Sequence, residues 1–279
     1  MKTRLNKAII LSIFLLLALQ SRSQSNLFNC EHSREFASHL FNTAQYNLAL
    51  HELERVNYLC EPDSSSLLLL LKTYRKTGHN LSAFQFFDKY NFETLNQLNP
   101  DFRQEYIRLL MTEKQYSNVQ QLITKGFDFK DKQAYQIGTM LLLEQWNDAF
   151  LLAQKTDSNQ GIKLAGVKQI AIQSHLAKRK SPFLATLMSV VLPGSGKMYS
   201  GFWADGAMSL LFTASSAFFA YRAFDKYGTQ KVYPWIAGGI AISYYTANIY
   251  GGNRAAILYN NNLNHSFIHE TEHYLYADY

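Results

Sequence analysis

Cysteine and charge are both scarce in this chain: two cysteines, and 17% Asp, Glu, Lys and Arg, in 279 residues. With no C-x-x-C pair, a dithiol redox centre has no motif to rest on. A long basic face is also missing. The 27 basic residues exceed the 21 acidic ones by a net +6, but they are scattered in small groups such as Lys178, Arg179 and Lys180. A nucleic-acid binder shows clustered phosphate contacts and a recognisable module, so nucleic acid is not an expected partner. Basic groups beside apolar stretches instead suit anionic lipid headgroups.

A nucleotide-gripping loop is the third absence. The stretch "VLPGSGKMYSGFWADG", residues 191–206, invites that reading, yet Gly196-Lys197 is followed by Met198, and Val191 stands where the leading glycine belongs. A phosphate loop needs that glycine and a terminal Ser or Thr on magnesium. Gly194-Ser195-Gly196 also lacks the third glycine of a dinucleotide fingerprint. No cofactor is expected.

At the N-terminus, Lys2, Arg4 and Lys7 precede the uncharged run "AIILSIFLLLAL" and a polar exit with Ser21 and Ser23. This predicts a cleaved signal peptide over residues 1–24. The alternative, an uncleaved anchor helix, has an apolar run short for about 30 Å of hydrocarbon. Export gives the cysteines a meaning, because disulfides persist in oxidising compartments. Phe36, Ala37, Leu40, Phe41 and Ala44 share one helical face, and Tyr46, Ala49, Leu50, Leu53 and Val56 share another. Gln45 lies midway between Cys30 and Cys60. Antiparallel helices joined there bring both sulfurs to the open end of a hairpin, predicting a Cys30–Cys60 disulfide, with two buried thiols as the alternative.

The hairpin recurs. Tyr46 and Ala49, Asn80 and Ala83, Tyr116 and Val119, and Trp146 and Ala149 align at steps of 34, 36 and 30 residues. Each local string, "AQYNLAL", "GHNLSAF", "KQYSNVQ" and "EQWNDAF", places a small residue three after the helix start, where helices must approach closely. A last helix follows, with Ile162, Ala165, Ile170 and Leu176 expected inward. The pattern resembles the tetratricopeptide repeat, although only Gly78 supplies the usual turn glycine. The resemblance implies a concave surface for peptides or protein partners and no catalysis. An irregular helical bundle is the competing arrangement.

Beyond Lys180, three uncharged stretches succeed one another: sixteen residues before Lys197, sixteen between Asp205 and Arg222, and twenty-two between Lys231 and Arg254. The last two are expected to cross a bilayer as a hairpin around "DKYGTQK", with close packing at Ser216 and Ala220, and at Ala237 and Ala241. Pro193 is expected to stop a preceding apolar helix, with Gly194, Gly196 and Gly201 providing sharp backbone angles. Lys197, Tyr199 and Trp203 would sit at headgroup depth. The pattern P-G-x-G-x-x-Y-x-G, followed by Gly206, resembles small bacterial two-span membrane domains. That likeness implies membrane residence with no established chemistry.

The tail "HSFIHETEHYLYADY" contains His269, Glu270 and His273 as H-E-x-x-H, a zinc-peptidase spacing on a helix. Glu272 inside the motif and the six residues after it weaken the case, and no metal site is expected. The whole reads as all-α: a signal peptide (1–24), a tetratricopeptide-like array (25–180), a membrane domain with two spans (181–254) and a polar tail (255–279). The membrane turn comprises Pro193, Gly194, Gly196, Tyr199, Gly201 and Gly206. The expected function is a non-enzymatic scaffold or adaptor at the bacterial inner membrane. Its array would lie in the periplasm and bind envelope proteins or peptides, and its hairpin would contact lipid and another copy. The rivals are an envelope zinc peptidase and a small oligomeric transport component.

Overall fold

The computed structural model describes residues 29–61, 63–156 and 161–276, so the signal peptide expected over 1–24 lies outside the described residues. Every regular element described is an α-helix. In chain order these are α1 (Cys30–Asn42), α2 (Tyr46–Leu59), α3 (Ser64–Thr77), α4 (Asn80–Phe87), α5 (Phe92–Gln97), α6 (Pro100–Thr112) and α7 (Tyr116–Thr124). There follow α8 (Lys132–Leu142), α9 (Trp146–Lys155), α10 (Ile162–Leu176), α11 (Pro182–Val191), α12 (Ser195–Tyr199), α13 (Trp203–Tyr227) and α14 (Val232–Tyr276).

Some of the starts are written in side chains that satisfy free amides. Asn29 accepts from the His32 amide, Asp63 from Ser66, Asn91 from Thr94 and Ser181 from Leu184. Proline opens α6 and α11, where its missing N–H is no loss. The stops repeat. Ala44, Gly78, Lys114 and Glu144 each adopt a positive φ, at 59°, 78°, 55° and 58°. In each case the next amide reaches back five residues: Gln45 to Leu40, His79 to Tyr74, Gln115 to Leu110, and Gln145 to Met140, at 2.8–2.9 Å. One left-handed residue therefore closes four helices in the same way. The aligned small residues Ala49, Ala83, Val119 and Ala149 are all buried.

The chain forms two compact units, residues 30–115 with 126–130, and residues 116–125 with 131–276. In the first, α1, α2 and α3 pack in succession around Ala37, Leu40, Ala49, Leu50, Leu53 and Leu70. Phe36 and Ala44 lie outside this face. The Cys30–Cys60 disulfide joins the start of α1 to the end of α2, with Cα atoms 5.8 Å apart. Between α3 and α6, the buried Arg75 Nε donates to Glu105 Oε1 at 2.5 Å. A buried pair of this kind tolerates little sliding, because displacement strands a charge away from water.

In the second unit α8 is the central helix, with Tyr135, Ile137 and Leu141 fully buried. Helix α10 packs on it through Leu164, Val167, Ile170, Ala171 and Ser174. The expected inward set was rotated away from this face: Ile170 is buried, but Ala165 is exposed, as are Ile162 (84%) and Leu176 (68%). Helices α13 and α14 form the antiparallel hairpin expected around "DKYGTQK", with Gly228 at φ 67° beside the turn. Ala220 and Ala223 are buried in it.

The membrane expectation is overturned. No helix among the described residues is long and apolar enough to cross a membrane. Length is not the shortfall, since 25 residues rise about 37 Å. Composition is: Ser209, Thr213, Ser215 and Ser216 dilute α13, while Ser243, four tyrosines and Asn248 dilute the first part of α14. Freedom from charge is a weaker property than hydropathy. Inner-membrane anchoring through this hairpin, and association of copies through a transmembrane hairpin, lose their basis with it.

Candidate functional site

Residues 255–276, read from sequence as a polar tail, continue α14 and bring its end back onto α8 and α10. The seam is built from residues one helical turn apart: Phe267, Thr271 and Leu275 are buried, while His269, Glu270 and His273 face solvent. Four-residue spacing keeps these three on one stripe. Two glycines make the receiving surface. A Cβ at Gly138 would come within 2.5 Å of Leu275 Cδ1, and one at Gly166 would overlap the Tyr274 ring. Alanine at either position would displace the helix.

Polar groups fix the register of this docking. The Tyr135 hydroxyl, fully buried, donates to the Leu275 carbonyl at 3.4 Å. The Tyr116 and Tyr276 hydroxyls lie 3.3 Å apart. Burial first, and then the Tyr116 hydroxyl, push the Tyr276 phenol well above its usual range, and burial raises Tyr116 as well. The Thr271 hydroxyl returns to the Phe267 carbonyl at 2.7 Å, so its burial leaves no open bond. At the entrance, the Trp146 and Phe267 rings meet edge to face, the Arg179 guanidinium lies 5.3 Å over Trp146, and Asn264 donates to Glu144 at 3.0 Å. The arrangement holds an amphipathic helix along one face of a helical array.

The glycine-rich turn is a second built feature. Gly194, at φ 86°, precedes the short helix α12, and its amide donates to Asn248 Oδ1 at 2.7 Å. Asn248 Nδ2 in turn donates to the Ser189 carbonyl at 3.0 Å. The Met198 amide bonds the Gly194 carbonyl, and the Ser200 amide bonds the Gly196 carbonyl, so these amides face the protein itself. Gly196 lies against Ala185 and Ser189, and a Cβ at Gly206 would stand 2.7 Å from the Gly194 carbonyl. Pro193 follows α11, whose C-cap is Leu192, and Gly201 (φ 90°) follows α12. The Tyr199 hydroxyl accepts from the Ser181 amide at 3.2 Å, its ring 4.7 Å from the Lys180 ammonium; Trp203 is exposed.

Sequence reasoning missed a row of asparagines on α14. Asn248 holds the turn, Asn253 donates to Thr186, and Asn260 both donates to and accepts from the Lys180 backbone at 2.8 Å. Asn264 accepts from Arg179 at 3.3 Å. Their recurrence at 248, 253, 260 and 264 within a helical pattern is the signal that was available. As for H-E-x-x-H, no group of three His, Cys, Asp or Glu able to hold a metal occurs among the described residues. No protein-family model, no curated protein and no solved structure matches the chain.

Proposed function

We infer that the chain is a helical-hairpin scaffold or adaptor that recognises amphipathic helices of protein partners. The observation carrying this reading is the glycine-floored face of α8 and α10, which receives a helix through side chains at i, i+4 and i+8. A tetratricopeptide-like organisation of the hairpins is supported by four turns with one shared hydrogen-bond geometry and by the buried small residue after each. Arrays of this kind present extended faces to peptides. Here the chain's own C-terminal segment occupies the face, so a partner helix binds by displacing it.

The test keeps the full-length chain and adds a fluorescent peptide of residues 264–276. Leu275→Asp introduces a charge at a fully buried position and releases the internal segment. The released protein should bind the peptide at least about tenfold more tightly than the parent, a difference of about 1.4 kcal/mol. Adding Gly138→Val should remove that binding. Equal binding, or none to either protein, defeats the reading.

A further inference from the structure

Lys197 has a placement that the turn does not require. Its ammonium crosses between α13 and α14 and donates to Ser209 Oγ at 2.6 Å. The crossing depends on Gly251, where a Cβ would stand 2.7 Å from Lys197 Cε and 3.2 Å from Nζ. No Asp or Glu forms an ion pair with Lys197 among the described residues. A half-buried ammonium with a neutral hydroxyl partner retains most of its attraction for an anion, because no carboxylate in contact compensates it.

Lys197 lines two cavities. One, of about 300 Å³, is lined by Lys197 and Asp205 together with Met208, Phe212, Thr213 and Tyr244. The other, of about 260 Å³, is lined by Lys197 and Asp205 together with Phe202, Tyr250, Arg254 and Leu258. Each combines charged groups with aromatic and aliphatic lining. The second gathers two cations and one carboxylate, a balance of one positive charge, which suits a monoanion better than a dianion or a zwitterion. Ligand sites commonly combine an apolar lining with a few convergent polar groups in this way.

We propose that the cleft around Lys197 binds a monoanionic amphiphile, an alkyl carboxylate. Its head group is held between Lys197 and Arg254, and its chain lies against the aromatic walls. The site is separate from the α8–α10 face and does not depend on it. Gly251 is open so that the ammonium can reach the head group, and Asp205 sets the charge selectivity by repelling a second negative charge.

Isothermal titration of the full-length protein with decanoate, decanol and acetate distinguishes the contributions of head and chain. Decanoate should bind saturably at one site. Decanol should bind at least tenfold more weakly for want of the charge, and acetate without measurable heat for want of the chain. Lys197→Met should weaken decanoate at least tenfold and abolish its advantage over decanol. Asp205 and Arg254 are exposed, so their variants read the site even where Lys197→Met fails to fold: Arg254→Gln should weaken decanoate severalfold, and Asp205→Asn should strengthen it severalfold. Decanol or acetate matching decanoate overturns the proposal. So does unsaturable uptake, or a folded Lys197→Met with undiminished affinity for decanoate.

Discussion

Asn248 shows how one side chain decides a local architecture. Its carbonyl oxygen and its amide are both committed to backbone groups of the turn, in a position sealed from water. Asn248→Ala strands the Gly194 amide and the Ser189 carbonyl together, and should destabilise the protein by about 2 kcal/mol, read from urea unfolding. Asp63 acts at a helix start. Hydrogen bonds from the Ser65 hydroxyl, and then from the Ser66 amide and hydroxyl, hold its carboxyl at about 2. A carboxylate with a lowered folded-state pKa contributes stability above its unfolded value near 4, and that contribution disappears as pH falls from there through about 2. Melting temperatures between pH 5 and pH 2 should therefore fall more steeply for the native chain than for Asp63→Asn, which keeps a capping oxygen that does not titrate. Residue types were legible here in part: an aspartate before "SSS" is a capping signal, whereas an asparagine inside an apolar helix reads as an oddity until its two backbone partners are known.

Among the elements, the four repeated turns were the most legible feature. Steps of 34, 36 and 30 residues placed the second helices at Tyr46, Asn80, Tyr116 and Trp146, and helices begin at those residues. What periodicity did not disclose is that the left-handed position falls on Ala44, Lys114 and Glu144 as readily as on Gly78. Holding an L-residue there costs about 1–2 kcal/mol, which the hairpin's packing offsets. Gly78→Ala should accordingly destabilise by about 1 kcal/mol, and Glu144→Gly should be neutral or stabilising by up to about 1 kcal/mol, since relief of strain competes with the greater freedom of the unfolded chain. Thermal melts of the two variants check both signs. Helix α10 was legible as a helix but not in its facing, because apolar residues lie nearly all round it and Leu164 and Val167, not Ile162 and Leu176, meet α8. For α14, the end of the uncharged stretch at Arg254 set the expected boundary with a polar tail. The helix continues because the Lys197 side chain packs at Gly251 and Ser189 of α11 packs at Gly252, which compensates for two poor helix formers.

For the molecule as a whole, the disulfide is the longest covalent constraint outside the backbone. It closes a separation of 30 residues, and its removal should lower stability by about 3–4 kcal/mol on loop-entropy grounds. The loss should appear in the unit built from α1 to α6. Denaturant unfolding of a Cys30→Ser, Cys60→Ser protein, followed by hydrogen exchange resolved along the chain, should show amides of α1 and α2 losing protection before those of α8.

The sequence by itself determined the local physics: helices from 3.6-residue periodicity, some of their starts from capping side chains, the hairpin steps, and the pairing of two cysteines at equal distances from a turn. Tertiary structure alone decided which apolar surface meets which. It rotated α10, carried α14 through its glycines and back onto α8 and α10, and made Lys197 part of the lining of two cavities. Periodicity records that a face must be buried, but the identity of the covering partner depends on contacts that reach as far as 160 residues along the chain. The membrane expectation failed for a reason that lies in the residues themselves: freedom from charge stood in for hydropathy, although hydroxyl-bearing side chains dilute both helices.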